Sequence, residues 1–394
     1  MASLYDSANR SRKFILAFLV FAVVLMGYNF ITGLQTAKEN TPTDSLPRFY
    51  MNADRLLGDI PKPVIPGIKY NPDARFSFKG FFPLFPDVSY VYPVEKPQSG
   101  FFRFERGQEV AELLGFDAGA YSTNDNTNYV WSDSGNTRQL FYNTTLRSWK
   151  LTTDYSRNTA ALASKNLVSL DQYISQAKSV LNRLGFSGLG LETGEGIATY
   201  ASIGVDNIFV EQISPENAEY AFVNVFRIIP QADLKPRNEL PTVPSGTVIP
   251  QSYSGKVYKA DPREGQASFV FSNSGRDLGR DLFELNHTEF VYNESEKGVY
   301  LIITPQEAWD AVQRGEGVLT FFREQGQNYF VERPSQVSIT QFTANADETE
   351  LAFYEPEAWD GYIYPIYIFR GSAQTAEGRQ ASFVFYVDAI KRLN

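Results

Sequence analysis

The six residues Gln-Ala-Ser-Phe-Val-Phe stand at 266–271 and stand again, unchanged, at 380–385. Side chains alternate across a strand. Each copy therefore sets one alanine and two phenylalanines on a single face: Ala267, Phe269 and Phe271 in the first, Ala381, Phe383 and Phe385 in the second. A helix laid over that face would bury all three. A strand repeated in this way confines the chain to folds that duplicate the unit around it.

The surroundings extend the repeat. An apolar stretch carrying Phe-Arg precedes each copy, as Phe226-Arg227 and as Phe369-Arg370. Gln380 follows Arg370 by ten positions, which suits a hairpin, whereas Gln266 follows Arg227 by 39. The excess is rich in Pro, Ser and Gly and is expected to form an inserted surface loop over 230–256. Farther upstream each copy has a helix start. Ser169 is an N-cap with Gln172 three residues on; Thr304 is an N-cap followed by Pro305 and Glu307. Gly185 and Gly315 suit the ends of these helices. Ile174, Ala177, Leu181 and Leu184 share one helical face, as do Ala308, Trp309 and Val312. A weaker third unit precedes them, with a short helix ending at Gly115 and three short strands up to Tyr155.

The N-terminus has a different character. Residues 14–31 form 18 positions without a charge, preceded by Arg10, Arg12 and Lys13. That length and flanking charge predict one transmembrane helix over 14–34 with the N-terminus cytoplasmic. A cleavable signal peptide is the rival reading, with a shorter apolar core and a small-residue cleavage site as its marks. The expected fold class is therefore α+β: a single N-terminal transmembrane helix followed by repeated helix-on-antiparallel-sheet modules. The divisions are a cytoplasmic N-terminus 1–13, the helix 14–34 and a Pro-rich tether 35–66. They continue with a β-rich module 67–160, a second αβ module 161–275 containing the inserted loop, and a third over 276–394.

Composition narrows the chemistry. The net charge of −9 argues against nucleic acid as a partner. With no cysteine, disulfides and thiolate chemistry are excluded; with one histidine, His287, zinc and a Ser-His-Asp triad have almost nothing to draw on. His287 reads as a strand residue at the surface or a module edge. Asn124, Asn126 and Asn128 alternate like calcium ligands, but Tyr129 and Gly135 stand where an EF-hand loop needs Gly and Glu. The acids Asp347, Glu348, Glu350, Glu355, Glu357 and Asp360 leave a two-carboxylate hydrolase open as an alternative, with Glu355 and Asp360 to be tested. Aromatics in 359–367 are candidates for an exposed binding surface, because Pro365 marks an edge strand or a bulge. The partner-binding residues named on this ground are Trp359, Tyr362, Tyr364 and Tyr367.

A helix ending Leu184-Gly185-Phe186 before an antiparallel sheet resembles PepSY-like modules. The pattern Thr304-Pro-x-Glu-Ala-Trp, then Gly315, then Tyr364-Pro-Ile-Tyr-Ile-Phe-Arg resembles the C-terminal repeat of YycH/YycI-type proteins. The resemblance runs from Ser164 to the end and includes the N-terminal segment. It implies a membrane-anchored extracytoplasmic regulator that restrains a membrane sensor kinase. The expected protein is thus non-enzymatic and single-pass, held in the bilayer through 14–34. It binds a protein or cell-envelope partner, regulates a membrane sensor kinase or protease, and uses no cofactor, metal or catalytic residue.

Overall fold

The computed structural model describes residues 53–392 apart from 84, 97–102, 124, 157–166, 187–189, 192, 205–207, 232–252, 274 and 289. The chain opens with β1 (Lys69–Tyr70), β2 (Arg75–Lys79) and β3 (Val88–Pro93), followed by helix α1 (Arg103–Leu113). A meander follows: β4 (Tyr121–Thr123), β5 (Asn128–Ser132), β6 (Arg138–Asn143) and β7 (Ser148–Thr153). Helix α2 (Leu170–Arg183) leads into β8 (Glu195–Ile203), β9 (Phe209–Gln212) and β10 (Tyr220–Phe226). Next come β11 (Ile228–Gln231), β12 (Tyr253–Tyr258), β13 (Ala267–Ser272), β14 (Leu282–Thr288) and β15 (Gly298–Leu301). Helix α3 (Pro305–Gln313) precedes β16 (Val318–Glu324), β17 (Gln336–Val337) and β18 (Ile339–Asn345). The chain finishes with β19 (Glu350–Tyr354), β20 (Tyr362–Thr375) and β21 (Gln380–Asp388).

Two large sheets take up nearly all of these strands. The first has nine, in the order β4-β5-β6-β7-β14-β13-β10-β8-β9; the second has ten, with the path β11-β12-β19-β20-β18-β2 and β21, β16, β3 and β15 attached. Helices α1 and α2 lie on one face of the first sheet: Val110, Leu114, Tyr173, Ala177 and Leu181 share a core with Ala267, Phe269 and Phe271. Helix α3 covers one face of the second, where Ala308, Trp309 and Val312 meet Ala381, Phe383 and Phe385. Each such buried aromatic contributes about 1.5–3 kcal/mol through removal from water. Both α2 and α3 begin with capping boxes, Ser169 with Gln172 and Thr304 with Glu307.

The expected fold class needs correction. Among the described residues there are three α-helices of 11, 14 and 9 residues against 21 strands, so the protein is mainly β. The helices are lids on extended sheets and do not found separate helix-on-sheet units. The reason lies in strand exchange. β14, from the segment assigned to the third module, completes the first sheet between β7 and β13. β12, from the second, joins the other sheet beside β19, and β2 and β3, from the first, join it beside β18 and β20. The ends of the expected surface loop are themselves the paired strands β11 and β12, while 232–252 lies outside the described residues.

The repeat is also less regular than its sequence suggests. β13 lies between β10 and β14, whereas β21 lies between β20 and β16. Val225 lies opposite Ala267, so Phe226 reaches only the start of the first hexapeptide, but Phe369 lies opposite Phe385 at the end of the second. The two Phe-Arg pairs are therefore not equivalent. β20 continues past Arg370 to Thr375, and the hairpin turn occupies the few residues around Gly378, which has a φ of 79°.

No helix of the described residues is long and apolar enough to cross a membrane. The segments 1–13 and 14–34, and the tether as far as 52, lie outside the described residues. The expected single-pass membrane topology, with a cytoplasmic N-terminus and extracytoplasmic domains, is corrected accordingly: the described chain contains no such span.

Candidate functional site

Pro365 explains where the sequence-selected aromatics go. β20 pairs with β3 through Tyr362 and Ile363 and with β21 from Ile366 onward, so the residue lacking an N–H falls between the two partners. β19 holds the other side, with Phe353 opposite Pro365, so the strand is paired on both sides and its tyrosines are drawn inward. Tyr364 and Tyr367 are 1% and 0% exposed and belong to cores on opposite faces of the second sheet; the Tyr367 hydroxyl donates to the Ile303 carbonyl at 2.8 Å. Neither side chain can meet a partner. Trp359 remains 38% exposed with its indole N–H on the Val94 carbonyl at 3.1 Å, and Tyr362 is half-buried edge-on to Tyr364.

The other candidates are also placed by burial. His287 is fully buried, not at a surface: it faces the helix side of the first sheet with Leu285 and packs 4.5 Å from the Phe186 ring. Its Nδ1 lies 3.0 Å from the Gln266 carbonyl, which as an acceptor requires the N–H there and leaves Nε2 bare. Burial, with Arg227 and Lys259 nearby, lowers its pKa to about 3. Glu355, the acid most open to a catalytic reading, is 1% exposed and 3.2 Å from the Arg227 guanidinium. Burial pushes its carboxyl up, and Arg227 and Lys259 pull it back in part. Asp360 instead accepts from the Tyr362 N–H at 3.2 Å on the surface. Asn124 lies outside the described residues. Beside it Asp125 accepts from the N–H groups of Thr127 and Asn128 at 2.9 and 2.8 Å, which lowers its pKa to about 2 and closes the loop on itself. Among the described residues no group of three or more metal-ligating side chains is placed to hold an ion.

Arg227 and Glu355 belong to a buried polar junction between the sheets. Arg227 follows the last residue of β10, and its N–H donates to the Gln266 side chain at 2.8 Å. Gln266 donates in turn to the Val257 carbonyl at 3.2 Å, and the Glu355 N–H donates to the Tyr258 carbonyl at 2.9 Å. The Arg227 guanidinium also stands 5.0 Å from the Tyr292 ring. Removing either charge would strand the other, at about 3–5 kcal/mol. The junction is sealed from solvent, so its work is to hold the two sheets together.

An accessible concavity lies elsewhere, against the edge of the first sheet. β9 is its last strand; Val210 within it and Ile208 and Ile213 at its two ends are 39%, 55% and 101% exposed. Beside them a groove of about 860 Å³ runs between β9, the turn 324–328, the ends of β18 and β21, and Gly371 and Ser372 within β20. Glu211, Glu324 and Glu348 line it, with Arg323 as the one arginine of its lining. Arg323 lies 3.7 Å from Glu211, and Glu324 pairs with Arg379.

One side chain closes the strand edge. The Asn328 Oδ1 accepts the Glu211 N–H at 3.1 Å, and its amide nitrogen donates to the Phe209 carbonyl. Next to it Phe330 packs 4.4 Å from Phe222 and 5.8 Å from Phe209, and Tyr329 stands under Arg263 and Arg323. The segment after β16 thus straps the second sheet to the far face of the first. Sequence reasoning named none of these residues. The alternation in Asn-Ile-Phe-Val-Glu-Gln-Ile (207–213) was the one available sign, since it puts Ile208 and Val210 on one face and Phe209 on the other. No known protein-family model matches the chain, and no curated protein matches its sequence.

Proposed function

We propose that this is a non-enzymatic binding protein that engages a protein partner along the β9 edge and its groove. The observation that carries this reading is the run of exposed Ile208, Val210 and Ile213 on a sheet edge beside an open, polar concavity. Apolar side chains exposed at a sheet edge among polar groups are how proteins present a docking surface. Glu355, by contrast, is committed to Arg227 inside the molecule and offers no carboxylate to a substrate. A protein partner is also what the resemblance to regulatory modules implies, with a membrane sensor kinase as its class.

Photo-crosslinking in cells tests the reading. A crosslinking amino acid at Ile213 is expected to trap one defined protein. The same group at Leu146, exposed in the turn after β6, should not. Identical background products from both positions would reject it.

A further inference from the structure

An edge strand with open N–H and C=O groups is a template for pairing with another chain, and proteins block such edges. The block on β9 has an unusual chemistry. Ile208 bonds inward to β8, as its carbonyl accepts from Gly204 at 2.8 Å, so Phe209 and Glu211 turn their backbone groups outward. The carboxamide of Asn328 fills both, donating to Phe209 and accepting from Glu211. A carboxamide carries the donor and acceptor of a peptide group. These are the two bonds that one residue of a parallel neighbour would make opposite Val210.

We infer that β9 is a strand-addition site for an extended, cationic segment of the partner, kept closed by Asn328 until that segment displaces it. This rests on the binding reading above and names the class of ligand. Main-chain bonds supply affinity in this mode and alternate side chains supply selectivity. Ile208 and Val210 offer apolar contacts for those side chains. The charge of the groove selects the sign: three glutamates face one arginine among its lining residues. Counting Arg379 and its second partner Glu377 leaves the same excess of two acids. The closing contact can also open alone. Asn328 sits at the end of a short turn through Gly326, whereas the strap is anchored separately by Phe330 on Phe209 and Phe222.

The test uses the full chain and a fluorescent eight-residue peptide alternating lysine and valine. Binding is expected, tightening about tenfold in Asn328→Ala because two competing hydrogen bonds are gone. Asn328→Asp, which keeps the acceptor and loses the donor, should fall between. The same peptide with alternate backbone amides methylated should not bind, and a glutamate–valine peptide should bind at least tenfold more weakly. Faster amide exchange at Glu211 with unchanged exchange at Phe269 will show that Asn328→Ala has opened the edge without unfolding the sheet. The inference is overturned if no lysine–valine peptide binds, if Asn328→Ala leaves its affinity unchanged, or if methylation has no effect. A partner trapped at Ile213 with no Asn328 effect rejects strand addition alone. Peptide binding with no partner trapped rejects the protein-partner reading alone.

Discussion

At the scale of single residues, one cluster of buried polar groups joins the two sheets. Arg227, Gln266, His287 and Glu355 sit together where β10 leaves the first sheet for the second. His287 has a pKa near 3 against an ordinary 6.5, so it stays neutral in the native chain across a range where the unfolded chain is protonated. Stability from this group is full above pH 6.5 and is lost as the pH falls toward 3, by up to about 1.4 kcal/mol per pH unit. Glu355 acts in the opposite sense, because its raised pKa lets the native chain take up a proton first. Comparing wild type with His287→Gln isolates the histidine: their difference in denaturant midpoint should be constant above pH 7 and shrink between pH 6.5 and 4. A difference independent of pH would show that His287 is not held neutral. The same residues mark the limit of legibility. The histidine's strand and its neighbour Leu285 were readable from alternation, but which face became core depended on helices remote in sequence. Arg227 and Glu355 are 128 positions apart, and nothing local pairs them.

At the scale of elements, caps and alternation were legible and partners were not. Ser169, Thr304 and Pro305 announce helices because their chemistry acts within one turn. The alternating phenylalanines of the hexapeptides were likewise readable, since each strand needs only its own residues to show two faces. The limits of β20 were not. Arg370-Gly371-Ser372 reads as a turn, yet all three pair with β21, and Gly371 and Ser372 pair with β18 as well. Gly371 belongs there because a Cβ would stand 2.0 Å from the Thr343 carbonyl oxygen. Gly371→Ala is therefore expected to cost about 1–3 kcal/mol, whereas Ser372→Ala next to it, exposed, should stay within about 0.5 kcal/mol. Urea midpoints will compare the two. Equal midpoints would mean that β18 can move away without cost. The groove escaped the sequence for a similar reason: Asn328 meets β9 across 119 positions, and an isolated asparagine in a polar turn carries no sign of a strand beside it.

At the scale of the whole molecule, the two sheets are joined by chain crossings, a buried ion pair and a strap, so they should open together. The repeated hexapeptide provides an internal gauge. Residues 267–271 and 381–385 have identical sequence, so their amides have nearly the same intrinsic exchange chemistry and differ only in protection. Native-state hydrogen exchange should give the same opening free energy for both copies; a gap above about 2 kcal/mol would make the sheets separate cooperative units. Pairing between strands remote in sequence also bears on how the chain is made. β2 waits for β18, whose residues lie some 265 positions later, and β7 waits for β14. A growing chain emerging from the ribosome therefore exposes unmatched edges until nearly its last residues appear, and non-local pairing of this sort is slow. Its survival in the cell hinges on what shields those edges during translation, before either sheet can close.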